Sequence, residues 1–308
     1  MGQPGGQGLL PRAIAGKKLG VLILCCRLEY KGTTEFMSAL LGIIFFILSC
    51  TSVPAALGAE EITATPNRPG IANPADVTQR GVLELEYGWE RAFRSHDFKT
   101  HTDAVGFIRF GLTEDFELHL GMVNYVSQLS DNPEGRRSGV GDTSPGFKYR
   151  LTEENGIWPT LSFAYDVKVP TASRKKGLGS GRVDHGLTFL ASKEELLGLD
   201  WDFNYVLGWI GKERKKGFDD SHLFALDFSR DLFGPLGITG EIYGSPRVNR
   251  QTPGIISTDW ALTYTLTPRV VLDAGVDIGL NSAARDITYF AGVTIALFDL
   301  YRYLGLKN

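Results

Sequence analysis

Asp200-Trp-Asp-Phe-Asn-Tyr-Val-Leu-Gly-Trp-Ile210 separates its side chains into two sets at a period of two. Successive side chains of a strand point to opposite faces, so Trp201, Phe203, Tyr205, Leu207 and Trp209 share one face, and Asp200, Asp202, Asn204, Val206 and Gly208 the other. A helix would bring Asp200, Asn204 and Leu207 to one side and leave no continuous apolar stripe. The stretch is therefore a strand. Either a second sheet covers its aromatic face, as in a soluble sandwich, or lipid does, as in a transmembrane barrel.

The same alternation recurs along the chain. Leu83, Leu85, Tyr87 and Trp89 alternate with Glu84, Glu86, Gly88 and Glu90. Residues 103–110 form the next strand, its phase blurred because Val105, Gly106, Phe107 and Ile108 run together. Phe116, Leu118, Leu120 and Met122 oppose Glu117, His119, Gly121 and Val123; Phe147, Tyr149 and Leu151 oppose Lys148 and Arg150; Leu161, Phe163, Tyr165 and Val167 oppose Asp166 and Lys168. A strand around 183–192 precedes the opening stretch. After it come strands holding Asp227, Glu241, Asp259, then Asp273 with Asp277, and a last one at 287–297. The reading gives about twelve strands, an even number. Connections alternate long and short, and charges collect on one face only. In a sandwich those charges would be buried beside aromatics, whereas in a barrel they face water; a lysine or arginine on the lipid side would cost roughly 2 to 4 kcal/mol at mid-membrane. These features predict an all-β, closed antiparallel up-and-down transmembrane barrel over residues 81–308.

Upstream, residues 37–59 form an uncharged run that includes Ala39-Leu-Leu-Gly-Ile-Ile-Phe-Phe-Ile-Leu48 and ends in small residues. It reads as a cleaved export signal with Met37 as the true start, and residues 1–59 as extension plus signal. Its apolar core is too short for a helical span. Cys50 follows a segment resembling a lipoprotein processing box, but the Leu before Ser49 is atypical, which argues against acylation. The cysteines, at 25, 26 and 50, all precede the barrel, as expected of an exported chain without disulfides. Residues 60–80, with Asn67-Arg-Pro-Gly70 and Asn73-Pro-Ala-Asp76, read as an extended periplasmic leader, since proline cannot donate to a ladder. The whole chain has 308 residues, 43% hydrophobic and 22% charged, with a net charge of −3, so bulk electrostatics give no reason to expect nucleic acid.

Chemistry-bearing motifs are weak. Gly177-Leu-Gly-Ser-Gly181 is followed by period-two alternation, not a helix, and reads as a flexible loop. His96, His101, His119, His185 and His222 lack metal-ligand spacing, so no metal or cofactor is expected. Asp219-Asp-Ser-His222 collects triad-type residues in a loop that does not assemble a relay. His119 beside Glu117 could act as a base in an outer-membrane lipid hydrolase. Arg136-Arg137, Arg174-Lys-Lys176 and Lys212-Glu-Arg-Lys-Lys216 fall in external loops, where they form a solvated rim or meet lipopolysaccharide phosphates.

The order Asn67-Arg-Pro-Gly70, Asn73-Pro-Ala-Asp-Val77, Leu85-Glu-Tyr-Gly88, Arg109-Phe-Gly-Leu-Thr-Glu-Asp-Phe-Glu-Leu118, Gly139-Val-Gly-Asp142, Phe147-Lys-Tyr-Arg150, Val167-Lys-Val-Pro-Thr171 and Gly179-Ser-Gly181 resembles a bacterial outer-membrane family labelled as a meta-pathway of phenol degradation and called transporter-like. Where the family has Pro-Thr-Gly, this chain has Pro170-Thr-Ala172. The resemblance implies an outer-membrane barrel passing small aromatic or hydrophobic molecules and no catalytic residues. The combined expectation is a monomer with a narrow polar lumen, in contact with outer-membrane lipids, that carries solutes passively. Its expected lumen residues are Glu84, Glu86, Glu117, His119, Lys148, Arg150, Asp166, Lys168, Asp202, Asn204, Asp227, Glu241, Asp259, Asp273 and Asp277. Lys148 and Arg150 are expected to pair with Asp166. The alternatives are the lipid hydrolase and a closed structural barrel filled by its own side chains.

Overall fold

The computed structural model describes residues 61–94, 98–130, 135–212, 216–250 and 252–306. The expected signal, Cys50, His96 and most of the basic run after Lys212 lie outside them. The strands are β1 (Val82–Phe93), β2 (Thr100–Gly111), β3 (Phe116–Leu129), β4 (Arg136–Gly139), β5 (Thr143–Thr152), β6 (Thr160–Lys168), β7 (Asp184–Leu196), β8 (Leu199–Gly211), β9 (Phe218–Phe233), β10 (Leu236–Ser245), β11 (Ile255–Thr267), β12 (Val270–Gly279) and β13 (Ile287–Asp299). Each pairs antiparallel with its sequence neighbour, β3 also reaches past β4 to β5, and β1 pairs with both β2 and β13. The sheet closes into a ring of twelve strands with β4 as one addition.

Closure removes sheet edges, which hydrocarbon would not tolerate. Adjacent residues show which face meets lipid: Leu118 is 44% exposed beside Glu117 at 0%, and Trp260 is 46% exposed beside Asp259 at 3%. Trp201, Phe203 and Tyr205 carry no second protein layer. Trp201 and Tyr205 rest on in-plane neighbours, with ring centroids 5.8 Å from Phe228 and 4.9 Å from Phe224. Among the described residues no helix is long and apolar enough to cross a membrane. The chain is a closed transmembrane β-barrel whose strands do the crossing.

Two strands run further than the alternation suggested. β9 begins at Phe218, inside the expected charged loop, because its ladder with β8 continues through Trp209↔Asp220 and Gly211↔Phe218 beyond the apolar belt. β3 continues past Val123 to Leu129 through a register shift opposite Ala104/Val105, and its end pairs with β4, which holds the Arg136-Arg137 that reads from sequence as external loop.

Candidate functional site

Residues 61–80 form no regular strand, and as a peptide without a ladder they must satisfy their N–H groups elsewhere. They do so on the inward-facing wall. Thr65 N donates to Glu84 (2.8 Å), Asn67 N to Glu86 (2.7 Å), and Ile71 N and Ala72 N to the two oxygens of Glu241 (2.7 and 2.6 Å). Asn73 N donates to Asn204 (2.9 Å), Ala75 N to Ser192 (2.7 Å) and Thr78 N to Glu117 (2.9 Å). These partners lie on β1, β10, β8, β7 and β3, so the segment circuits the inside of the ring. The expected leader lies within the barrel, and Ala75 packs there against Ala164 and Leu190.

Cations complete this side. Arg109, 1% exposed, donates to Glu84, to Glu86 (2.7 Å) and to the Thr65 carbonyl. It also lies 3.6 Å from Glu117. Arg68 of the internal segment makes a bidentate bridge to Asp273 (3.0 and 2.9 Å). Its guanidinium lies over Gly88 and Gly292, which pair with each other; a Cβ on either glycine would come within 2.2 Å of it. Neither arginine was among the expected lumen residues. Arg109 was hidden by the unclear phase of β2, although the cost of a lipid-facing arginine could have set that phase. With Arg109 inward, Phe107 is inward too, its ring 5.0 Å from His119, so this part of the lumen is not wholly polar.

The expected pairing of Lys148 and Arg150 with Asp166 does not form, because the register sets Asp166 against Gly146 and Lys148 against Ala164. Lys148 Nζ instead donates to the carbonyls of Pro74 (3.1 Å) and Asp76 (2.7 Å). Arg150 meets Asp115 (3.0 Å), Asp76 (3.3 Å) and Glu153 (2.7 Å). Asp166 faces His119 Nε2 at 3.0 Å, while His119 Nδ1 faces Glu117 at 3.2 Å. Gly146 makes this possible, since a Cβ there would sit 2.4 Å from His119 Nε2. Lys168 binds Asp184 and lies 3.5 Å from Asp142.

On the other arc, Asp202 accepts from Ser192, Asp227 from Thr239, and Asp277 from Tyr243 (2.8 Å). A cavity of about 440 Å³ separates the internal segment from this wall and reaches Asp202 and Asp227. The other sequence motifs assemble nothing. His222 bonds Tyr205 (2.8 Å) while Asp219 meets Lys212 (3.1 Å), so the triad-type residues are apart. His185 bonds Tyr165 (2.8 Å) and His101 meets Asp103 (2.7 Å). Gly177 and Gly181 adopt positive φ, 65° and 66°, as turn glycines. Among the described residues no group of His, Cys, Asp or Glu could hold a metal.

A family model described as "Putative MetA-pathway of phenol degradation" matches residues 66–297, a span that begins inside the internal segment. The chain belongs to this family. Among solved structures, an outer-membrane channel from Pseudomonas putida F1 is similar to this phenol-degradation-family barrel at 18% identity, covering 74% of this chain and 98% of that one, with a TM-score of 0.56. The NanC porin matches at 12% identity over 69% of this chain and 98% of its own, TM-score 0.47. The CymD monoaromatic hydrocarbon channel matches at 10% identity over 72% and 90%, TM-score 0.40. No curated protein sequence matches the chain.

Proposed function

We propose that this protein is a passive outer-membrane channel for small molecules, aromatic or hydrophobic ones among them, with residues 61–80 occupying its axial route. The observation that carries this reading is what fills the ring. It is not packed shut by its own side chains: it has room for an internal peptide and for a cavity of about 440 Å³ beside it. The peptide is held by hydrogen bonds and ion pairs to the wall and not by strand pairing. That favours a conduit over the side-chain-filled scaffold. Membership of the family and the channel fold of the Pseudomonas putida neighbour agree with it.

The hydrolase reading is weaker. Both ring nitrogens of His119 face carboxylates, so neither is aimed at a hydroxyl nucleophile. On this reading the barrel works as a monomer, its aromatic belt against outer-membrane lipid and Arg174, Lys175 and Lys176 toward lipopolysaccharide phosphates. The test is single-channel recording in a planar bilayer. The full chain is expected to give small conductance steps, and a chain lacking residues 61–80 larger ones. Silence from both, with solute flux absent from liposomes, would reject the channel; phospholipid or lipid A hydrolysis lost in His119→Ala would favour the enzyme.

A further inference from the structure

Arg91 stands on the outward face of β1, in phase with Trp89 and Phe93, while Ala92 between them is fully buried toward the interior. It lies at the long-loop end of the barrel, one outward position beyond the exposed Trp89; Tyr125, also exposed, is level with Trp89, since the register runs Trp89↔Ala104↔Tyr125. Aromatic side chains so placed mark the headgroup level of a membrane barrel, and above them an arginine no longer faces hydrocarbon. From Arg91 the register leads across the wall to Thr102, then Ser127, then Ser138, a row of hydroxyls on the outer face. Arg136, on the same face of β4 as Ser138, donates to Ser127 Oγ (3.3 Å). Among the described residues neither arginine meets a carboxylate. Arg91 Nε is buried without a hydrogen-bond partner, and its guanidinium carbon lies 5.3 Å from the centre of the Phe93 ring. Asp286, at the neighbouring turn, is held by Arg94 at 2.9 Å.

We infer that this stretch of the outer wall binds the phosphates of lipid A, one at Arg91 and Thr102, the other at Arg136 and Ser127. The face continues the lipid-facing surface of the barrel, so its occupant is a lipid, and two cations without carboxylates select an anionic headgroup. Arg91 and Arg136 sit on strands three spacings apart, about 14 Å along the wall. That is too far for one phosphate and suits a sugar headgroup that carries two. An arginine stacked on a ring keeps an N–H edge for phosphate oxygens, which it meets through two parallel hydrogen bonds. The inference rests on the outer-membrane lipid as partner and assigns that lipid to side chains of the strand wall, not to the basic loop, whose Lys176 Nζ donates to the Ser138 carbonyl (3.2 Å). It is independent of whether the barrel conducts.

The test is binding of diphosphoryl lipid A to the full chain in detergent micelles, stripped of co-purified lipid and followed by native mass spectrometry. The wild type is expected to bind, and the double variant R91Q/R136Q to bind about tenfold or more weakly. Lipid A with both phosphates removed should bind the two proteins equally. Thr102→Asp keeps both arginines but sets a carboxylate directly opposite Arg91, and should weaken binding by about threefold or more. It decides the inference by itself if heat-modifiable gel mobility shows that the double variant does not fold. Diphosphoryl lipid A binding unchanged in the double variant overturns the inference; if R174Q/K175Q/K176Q then loses it, the lipid partner stands at the basic loop. An equal loss with the dephosphorylated lipid overturns it too, since packing and not phosphate would be at work. No lipid A binding by the wild type removes both the site and the partner.

Discussion

Glu84, Glu86 and Glu117 on the arc from β1 to β3 converge on Arg109, and Lys148 on β5 holds the returning limb of the internal segment. Asp227, Glu241 and Asp259 on the arc from β9 to β11 face one another. Both sets arise from the same rule, that charge in a membrane barrel points inward, yet the outcomes differ. Where cations share the wall, the acids close on them and on the peptide together. Where they do not, Glu241 still receives the Ile71 and Ala72 N–H groups, but the acids face one another and a cavity remains beside Asp202 and Asp227.

The sharpest way to break this contrast is to remove one residue from each arc. Arg109→Met strands three buried carboxylates and is expected to cost about 3 to 5 kcal/mol, read from urea unfolding in detergent micelles. Asp259→Asn relieves like-charge repulsion and should leave stability within about 1 kcal/mol. Equal losses would erase the distinction. A smaller effect is expected at the seat of Arg68. Gly88→Val places a side chain where the guanidinium lies, so the Asp273 bridge should fail at a cost of about 1 to 3 kcal/mol, with larger conductance steps and unchanged far-ultraviolet circular dichroism. Glu241→Gln keeps one carbonyl acceptor, for Ile71 or Ala72 but not both, and sets its amide NH2 against the other N–H. Unfolding should register about 1 to 3 kcal/mol, comparable to the Arg68 seat.

The smallest effect lies outside the membrane. In the exposed turn after β5, the hydrogen bond from Lys193, followed by that from the Glu194 N–H, holds the Glu154 carboxyl below its usual range. A depressed carboxylate adds stability above its unfolded range and loses it as pH falls through the folded one. Glu154→Gln should therefore lower stability slightly at neutral pH, with the difference fading as pH falls through the folded range, so that the acid limb flattens. A difference that persists unchanged into acid would mean that the turn depends on more than this carboxyl's charge.

The ring was legible in the sequence because lipid imposes the same alternation on every strand, so that Phe203 against Asn204 carries the same message as Leu118 against Glu117. The phase of β2 was not, since Val105, Gly106, Phe107 and Ile108 hide it, and with it went Arg109. The place of residues 61–80 was also out of reach. Their prolines announce only that they form no ladder; the acceptor for Ile71 is Glu241, 170 residues away, and no local pattern couples the two. The extension of β9 to Phe218 escaped for a related reason, because above the lipid a ladder no longer needs apolar side chains.

The direct test of the internal segment uses the barrel's lack of cysteine. With Cys25, Cys26 and Cys50 replaced by serine, A75C and A164C are introduced together, at two positions that share a buried cluster. The account predicts that the folded protein in lipid forms this disulfide nearly completely, that reductant reverses it, and that neither thiol takes a bulky maleimide before unfolding. Free labelling of A75C with no disulfide formed would place the segment outside the ring and contradict the account.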